Sequence, residues 1–260
     1  MLAILFHSSK TMLPTPHPER YQAPHFLSEA AAIVQYIRGL PPSSLQTSMK
    51  ISTSLAEKTH QVFTNWSDDP TRQTAAIDVF RGDMYSGLRA AELTPFDRRY
   101  ANDHLYILSG LYGILHALDS IAPYRLEMGY RLPTAPYDNL YNFWGKKLAD
   151  GIPADATIFN LSSIEYTKTI SPYVARERII TPRFLTRDPR TQIPKFVAVH
   201  AKIARGALAH YLIVRHAVSV EESLFFHDLG YHYDAAMSSA HEPTFICDNF
   251  LGTGLSIRKK

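Results

Sequence analysis

LYILSGLYGILHALDSIAPYRLEMG, residues 105–129, orders the rest of the chain, because an apolar run, a glycine break and a charged cluster follow one another within it. Leu105 to Leu108 is apolar enough for a buried strand or a short helix. Ser109-Gly110 and then Gly113 interrupt it, where a positive φ or a close backbone approach calls for glycine. After Pro123 come Tyr124, Arg125 and Glu127. A guanidinium forms bidentate bonds and stacks on flat rings, so this cluster suits an anionic or planar ligand. The competing reading is a structural Arg125–Glu127 ion pair that ties a loop to the core.

Working outward, 260 residues suffice for a sizeable hydrophobic core, and 45% hydrophobic with 20% charged residues places the chain among globular proteins. Fifteen tyrosines can line a cleft with mixed apolar and hydrogen-bonding surface, although most are expected to fill the core margin. A net charge of +3 is too small to indicate nucleic acid by itself, so any basic surface must be local. The single cysteine, Cys247, excludes an intramolecular disulfide and any multi-cysteine metal site, and it points to a reducing compartment. The opening MLAILFHSSK is too short in its apolar run for a signal peptide, and no window approaches the ~20 apolar residues of a membrane helix. A soluble cytoplasmic protein without a membrane partner is expected.

Toward the N-terminus, residues 2–6 (LAILF) read as a buried strand, followed by the polar loop His7-Ser8-Ser9-Lys10-Thr11, which lacks the glycines of a Walker loop. The proline-rich residues 13–24 should run extended over the surface. Phe26, Ala30, Ile33, Val34 and Ile37 recur at helical spacing up to Gly39. After Leu40-Pro41-Pro42 a second helix carries Leu45 and Met49. Residues 25–52 are therefore either a candidate helix-hairpin-helix, which offers backbone amides to a DNA phosphate, or an ordinary αα-corner. Ser54 to Glu57 has capping-box spacing for a helix ending near Trp66, and Asp69-Pro70 predicts a helix to about Phe80. RGDMYSGL, residues 81–88, is a plausible site loop. Thr94-Pro95 predicts a helix through about His104.

Beyond the central stretch, residues 139–144 read as an aromatic helix start and 157–161 as a strand. Ser162 to Glu165 has capping-box spacing, with Lys168 available to pair with Glu165. Residues 179–184 and 196–199 read as strands, the second apolar enough to be central. A helix is predicted from about Ala201 to His216. Lys202 and Arg205 then fall near its N-terminus, an end that favours anions, so their presence there points to a bound anion. Ser219 and Glu222 form another capping box, and residues 247–260 should fray. Strand and helix patterns alternate without a linker, so residues 1–260 are read as one α/β domain, with a mixed central sheet surrounded by helices.

Twelve histidines raise a metal site, with His227, Asp228, His232 and Asp234 the densest cluster. No His-x-x-x-His pair or other strong ligand spacing is present, so neither metal nor cofactor is expected. Ser86 and Ser109 stand beside glycines but outside G-x-S-x-G. Lys10, Lys168 and Lys202 are the candidates for a lysine activated by burial.

FRGDMYSGL, SGLYG, LDSIAPYRLEMG, LYNFWG, NLSSIEYTK and AKIARG together resemble the YaaA family of bacterial peroxide-stress proteins, over nearly the whole chain. The resemblance implies a single mixed α/β domain with a helix-hairpin-helix and a basic cleft, double-stranded DNA as partner, and a role in limiting iron-driven oxidative damage. Position by position, the family's S-P-A-K-T falls on His7-Ser8-Ser9-Lys10-Thr11, where lysine and threonine are kept and the first three residues differ. G-D-x-Y-x-G-L falls on Gly82, Asp83, Tyr85, Gly87 and Leu88, and P-Y-R-L-E-M-G on Pro123 through Gly129 unchanged. N-L-A-S-x-E-Y-F-K keeps Asn160, Ser163, Glu165, Tyr166 and Lys168, with Ser162 and Thr167 differing. K-x-A-R-G keeps Lys202, Ala204, Arg205 and Gly206.

Two functions from different classes follow. In one, the cleft and the Gly39 hairpin bind DNA phosphates, with Thr11, Asp83, Tyr85, Tyr124, Arg125, Glu127, Ser163, Lys202 and Arg205 as the binding set. In the other, the cleft holds a small anionic or nucleotide-like substrate, with Lys10, Glu165 and Lys168 or Lys202 doing acid–base or covalent work. The altered His7-Ser8-Ser9 suits a specialised, biosynthetic branch. An iron-sequestering protein would want carboxylates and histidines clustered at helical spacing, which the sequence lacks.

Overall fold

The structure, a computed structural model, describes residues 1–14 and 22–256. The apolar run at the N-terminus becomes β1 (Leu2–His7), in the middle of a five-stranded sheet with β2 (Leu105–Ser109), β3 (Gly113–His116), β4 (Thr157–Asn160) and β5 (Ile179–Ile180). The order is β3-β2-β1-β4-β5, with β3 antiparallel to β2 and every other pair parallel. Ile4 stands opposite both Leu105 and Phe159, and Leu2 through Phe6 are buried, as befits a parallel strand covered on both faces. The central stretch resolves to a strand, and Gly113 (φ 72°) turns the chain back into β3. A Cβ there would lie 2.8 Å from the Trp144 ring.

A second sheet, β6 (Arg183–Arg187), β7 (Pro194–Lys195), β8 (Tyr231–Tyr233) and β9 (Thr244–Cys247), runs β7-β6-β9-β8 with β6 and β9 parallel. Phe184 stacks on Phe245 at 5.2 Å, with Phe226 and Tyr231 edge-on to Phe184. Short ladders join Thr11–Met12 to Phe80–Arg81 and Thr74–Ala75 to Ser120–Ile121. The helices that matter below are α1 (Leu27–Arg38), α2 (Pro42–Met49), α3 (Thr53–Thr64), α4 (Asp83–Leu88), α5 (Pro95–His104), α6 (Ile164–Thr167) and α7 (Ala198–Val214). Side chains from both sheets and all the longer helices meet in one hydrophobic core, which makes this a single α/β domain.

Much of the expected helix pattern stands. Ala30, Ile33, Val34 and Ile37 are the buried face of α1, and Arg38 at its end donates to the carbonyls of Phe63 and Trp66. Thr94 and Asp97 form a reciprocal capping box at the start of α5.

Other expectations are corrected. α3 is capped by Ser52, two residues before Ser54, through the Leu55 N–H. Asp69 accepts from Thr71, but the helix expected to run to about Phe80 is broken in two: one turn at Pro70–Arg72 and a short helix at Ala76–Val79, with Thr74–Ala75 between them paired to Ser120–Ile121. Residues 179–184 split between the two sheets at Thr181-Pro182. Residues 196–199 are no central strand: Phe196 is exposed and α7 has begun by Ala198. Lys202 and Arg205 therefore sit in the second and third turns of α7, and the argument from the helix N-terminus lapses. Of the tail, residues 247–256 are described, with Cys247 and Ser256 buried and Leu251 exposed; residues 257–260, and most of the proline-rich segment expected to be extended, lie outside the described residues.

Helices α4 and α7 cross in close backbone contact. A Cβ on Gly87 would lie 2.1 Å from the Ile203 carbonyl oxygen, and one on Gly206 would lie 1.9 Å from that of Met84. The glycines of the GDMYSGL and KIARG motifs therefore let two backbones touch. One turn before each glycine, Asp83 and Lys202 are brought to the same opening.

Candidate functional site

The chain leaves β1 for β2 on one side and later crosses to β4 on the other, so the carboxyl end of β1 is a topological switch point, where open α/β sheets bind ligands. A cleft of about 400 Å³ opens there. Its walls come from five segments: His7 through Thr11 after β1, Gly82 through Tyr85 at the start of α4, Glu127 in the central loop, Ser163, Glu165 and Tyr166 of α6, and Lys202 of α7.

The floor is a network of buried hydroxyls. Ser8 Oγ and Tyr166 Oη are 3.0 Å apart, and Ser109 Oγ and Tyr124 Oη 2.7 Å. Ser109 Oγ also accepts from the backbone N–H of Leu111 and Tyr112, so the serine at the glycine break holds the turn that follows β2. Tyr85 donates to the His7 carbonyl at 2.9 Å. Burial pushes the phenols of Tyr85, Tyr124 and Tyr166 upward, so all three remain protonated donors at neutral pH.

Above this floor stand the charges. Glu127 Oε2 lies 3.9 Å from Lys10 Nζ, with the Glu127 side chain only 13% exposed. Burial raises its carboxyl to about 7 against the pull of Lys10, with Glu165 adding to the rise and Arg125 opposing it. The predicted Arg125–Glu127 ion pair is thus replaced by Lys10–Glu127, and Arg125 instead donates to the Lys10 carbonyl at 3.4 Å. Glu165 does not cap α6. Its Oε1 accepts from the Gly129 N–H at 2.8 Å, which pins the end of the central loop, and Lys168 is not its partner. His7 accepts from the Ser163 N–H through Nδ1 at 3.2 Å and stacks on Tyr166. Burial first, then Arg205 and Lys202, depress its imidazole to about 3. Asp83 is buried and takes a 3.3 Å hydrogen bond from Ser256, so the end of the described chain closes on the cleft wall.

Of the residues singled out in the sequence, Lys10, Thr11, Asp83, Tyr85, Glu127, Ser163, Glu165 and Lys202 line the cleft. Tyr124, Arg125 and Arg205 do not line it. Arg205 donates to the Ser162 carbonyl at 3.0 Å, while its Nε is buried without a partner. Lys168 is exposed at the end of α6 and does not line the cleft. His7, Ser8 and Tyr166 also line it; the sequence offers the first two only as part of the polar loop that departs from the family motif and Tyr166 only as a kept position of NLSSIEYTK, with no role assigned to any of them. Among the described residues no group of three His, Cys, Asp or Glu side chains converges to hold a metal ion, and no helix is long and apolar enough to cross a membrane.

A family model described as peroxide stress protein YaaA matches residues 1–237. A UPF0246 protein of Salinispora tropica is 45% identical over 259 residues, covering 99% of this chain and 98% of that relative. UPF0246 proteins of Burkholderia mallei and Burkholderia pseudomallei are each 36% identical over 241 residues, 89% of this chain and 91% of theirs.

Proposed function

The chain belongs to the YaaA family of peroxide stress proteins, and from that premise we propose that its cleft is an acid–base site for a small anionic or nucleotide-like substrate. The observation that carries this reading is Glu127: a nearly buried carboxyl, raised to about 7, set between Lys10 and Glu165 in a cavity at the switch point of the sheet. A carboxyl that titrates near neutrality can both give and take a proton during turnover. Lys10 and Lys202 supply positive charge for the anion. The lining mixes signs, Lys10 and Lys202 against Asp83, Glu127 and Glu165, which suits a compact ligand better than a run of phosphates. We place the protein in the reducing cytoplasm, where the buried thiol of Cys247 stays free.

The second reading is double-stranded DNA binding in the peroxide response. What supports it is the start of α2, which opens at Pro42 with no side-chain cap and no acidic residue in its first turn and so leaves its first backbone amides to a phosphate.

Calorimetric titration with inorganic phosphate, pyrophosphate and AMP, on the native protein and on Lys10→Ala, tests the first reading. Saturable binding that Lys10→Ala weakens supports it, and no binding of any of the three overturns it. A labelled duplex titrated across a salt series tests the second. Steep salt dependence that flattens in Lys202→Ala with Arg205→Ala would place phosphates at α7 and make DNA the ligand of the cleft.

A further inference from the structure

His7 ends β1 with one ring nitrogen already engaged. Nδ1 accepts from the Ser163 backbone N–H at 3.2 Å, which leaves the proton of a neutral imidazole on Nε2. That bond is the only one the His7 ring makes among the described residues, so Nε2 has no protein partner on a ring that lines the cleft. The ring is fixed from two directions. Tyr166 stacks on it with centroids 5.0 Å apart and planes 27° apart, and Tyr85 holds the His7 carbonyl at 2.9 Å. A donor this constrained loses little freedom when it meets an acceptor.

We infer that His7 Nε2–H is a neutral hydrogen-bond donor to an anionic oxygen, carboxylate or phosphate, of the ligand in the cleft. This deepens the small-anion reading and rests on it. Three features favour the assignment over the other uses of a histidine. The imidazolium is disfavoured by burial and then by Arg205 and Lys202, so the ring keeps its proton on Nε2 without gaining a second. The same cations polarise the N–H and strengthen it as a donor. A metal would need a lone pair on Nε2, where the proton sits, and no cluster of carboxylates or other ligands converges beside it among the described residues. A neutral imidazole donor polarises an oxygen without surrendering its proton, which leaves proton exchange to Glu127.

Two measurements test this. In protein carrying 15N-histidine, long-range proton–nitrogen correlation should find the His7 ring as the Nε2–H tautomer with an unprotonated Nδ1, in the absence of any ligand. An Nδ1–H tautomer or a doubly protonated ring at neutral pH would overturn the inference. Calorimetry with inorganic phosphate and with acetate, on the native protein, His7→Phe and His7→Gln, tests the role itself. Phenylalanine keeps a flat ring without a donor, and glutamine restores an amide N–H. For whichever ion binds, His7→Phe should weaken affinity about tenfold or more, while His7→Gln should stay within about threefold of native. Preference for one ion distinguishes a phosphate from a carboxylate ligand. Thermal unfolding of both variants guards against a folding defect, and if His7→Phe does not fold, the tautomer and His7→Gln decide. Binding indifferent to His7→Phe overturns this inference alone. A native protein that binds neither ion overturns this inference, and one that also binds neither pyrophosphate nor AMP removes the small-anion reading with it.

Discussion

Where α4 crosses α7, backbone meets backbone with no room for a methyl group; one turn back along each helix, at the cleft, charged and hydroxyl-bearing side chains are kept apart around a cavity of about 400 Å³. The two regions share their elements and differ in what they ask of the sequence. The crossing demands the absence of side chains, at Gly87 and Gly206. The cleft demands particular side chains, some at a cost to stability, as a carboxyl held at about 7 indicates. A substitution at the crossing should therefore damage the fold, and one in the cleft should alter chemistry while leaving the fold intact or even firmer.

The largest effect is expected at the crossing. In Gly206→Ala the new methyl would have to fit where 1.9 Å separates it from the Met84 carbonyl oxygen, a backbone atom that cannot step aside alone. Overpacking of this kind should cost about 3 kcal/mol or more, read as a lowered midpoint in urea unfolding. A variant of native stability would mean that the helices slide past one another, and the contrast with the cleft would dissolve.

Glu127→Gln should move stability the other way. The native carboxyl titrates near 7 against an ordinary value of 4.5, so the folded protein binds its proton more tightly than the unfolded chain does. Stability from this group is then present at low pH and falls as pH rises from about 4.5 through 7, where the folded state must carry a poorly solvated charge. Removing the charge should make Glu127→Gln more stable than native by about 2 kcal/mol at pH 8, with little difference at pH 4. Urea unfolding at the two pH values checks it, and a variant that is less stable at pH 8 would show that Lys10 gains more from the carboxylate than burial takes away.

A smaller loss is expected at Tyr166→Phe. The variant keeps the buried ring and its stack on His7 but loses the 3.0 Å contact with Ser8 Oγ. One buried hydrogen bond is worth about 1 kcal/mol, so its thermal midpoint should fall by a few degrees. A loss as large as that of Gly206→Ala would mean that the floor of the cleft is structural in the same sense as the crossing.

The contrast also explains what could be read before the fold was known. Apolar runs and helical spacing carry their own signal, so β1, α1 and α5 are legible from the apolar run, from periodicity and from Thr94-Pro95, while residues 105–108 are legible as buried but not as strand β2. Gly87 reads in the sequence as part of a site loop and Gly206 only as part of a family motif; neither announces a helix crossing, because a residue whose role is to be absent leaves no pattern of its own. Residues 196–199 misled because an apolar run of that length suits strand and helix start equally, and only the exposure of Phe196 and the start of α7 at Ala198 decide it. The cleft was legible as a set of polar residues at element ends. Its internal wiring was not, since Lys10–Glu127 and Glu165–Gly129 join segments far apart in sequence, and the nearer partners Arg125 and Lys168 were the natural guesses.

Lys168 supplies the finest distinction, and the smallest expected effect. It belongs to the same NLSSIEYTK motif as Ser163, Glu165 and Tyr166, yet it caps the far end of α6 with its side chain exposed, while those three line the cleft. If position in space and not membership in a motif determines function, Lys168→Ala should change stability by less than about 0.5 kcal/mol and leave the binding of pyrophosphate unchanged. Lys202→Ala is equally exposed and should also leave stability nearly unchanged, but it should weaken that binding because its ammonium borders the cleft. Calorimetry on the pair separates the two. Equal losses in both would extend the ligand beyond the cleft and along α6, as a long polyanion would require, and would move the balance from a compact substrate toward DNA.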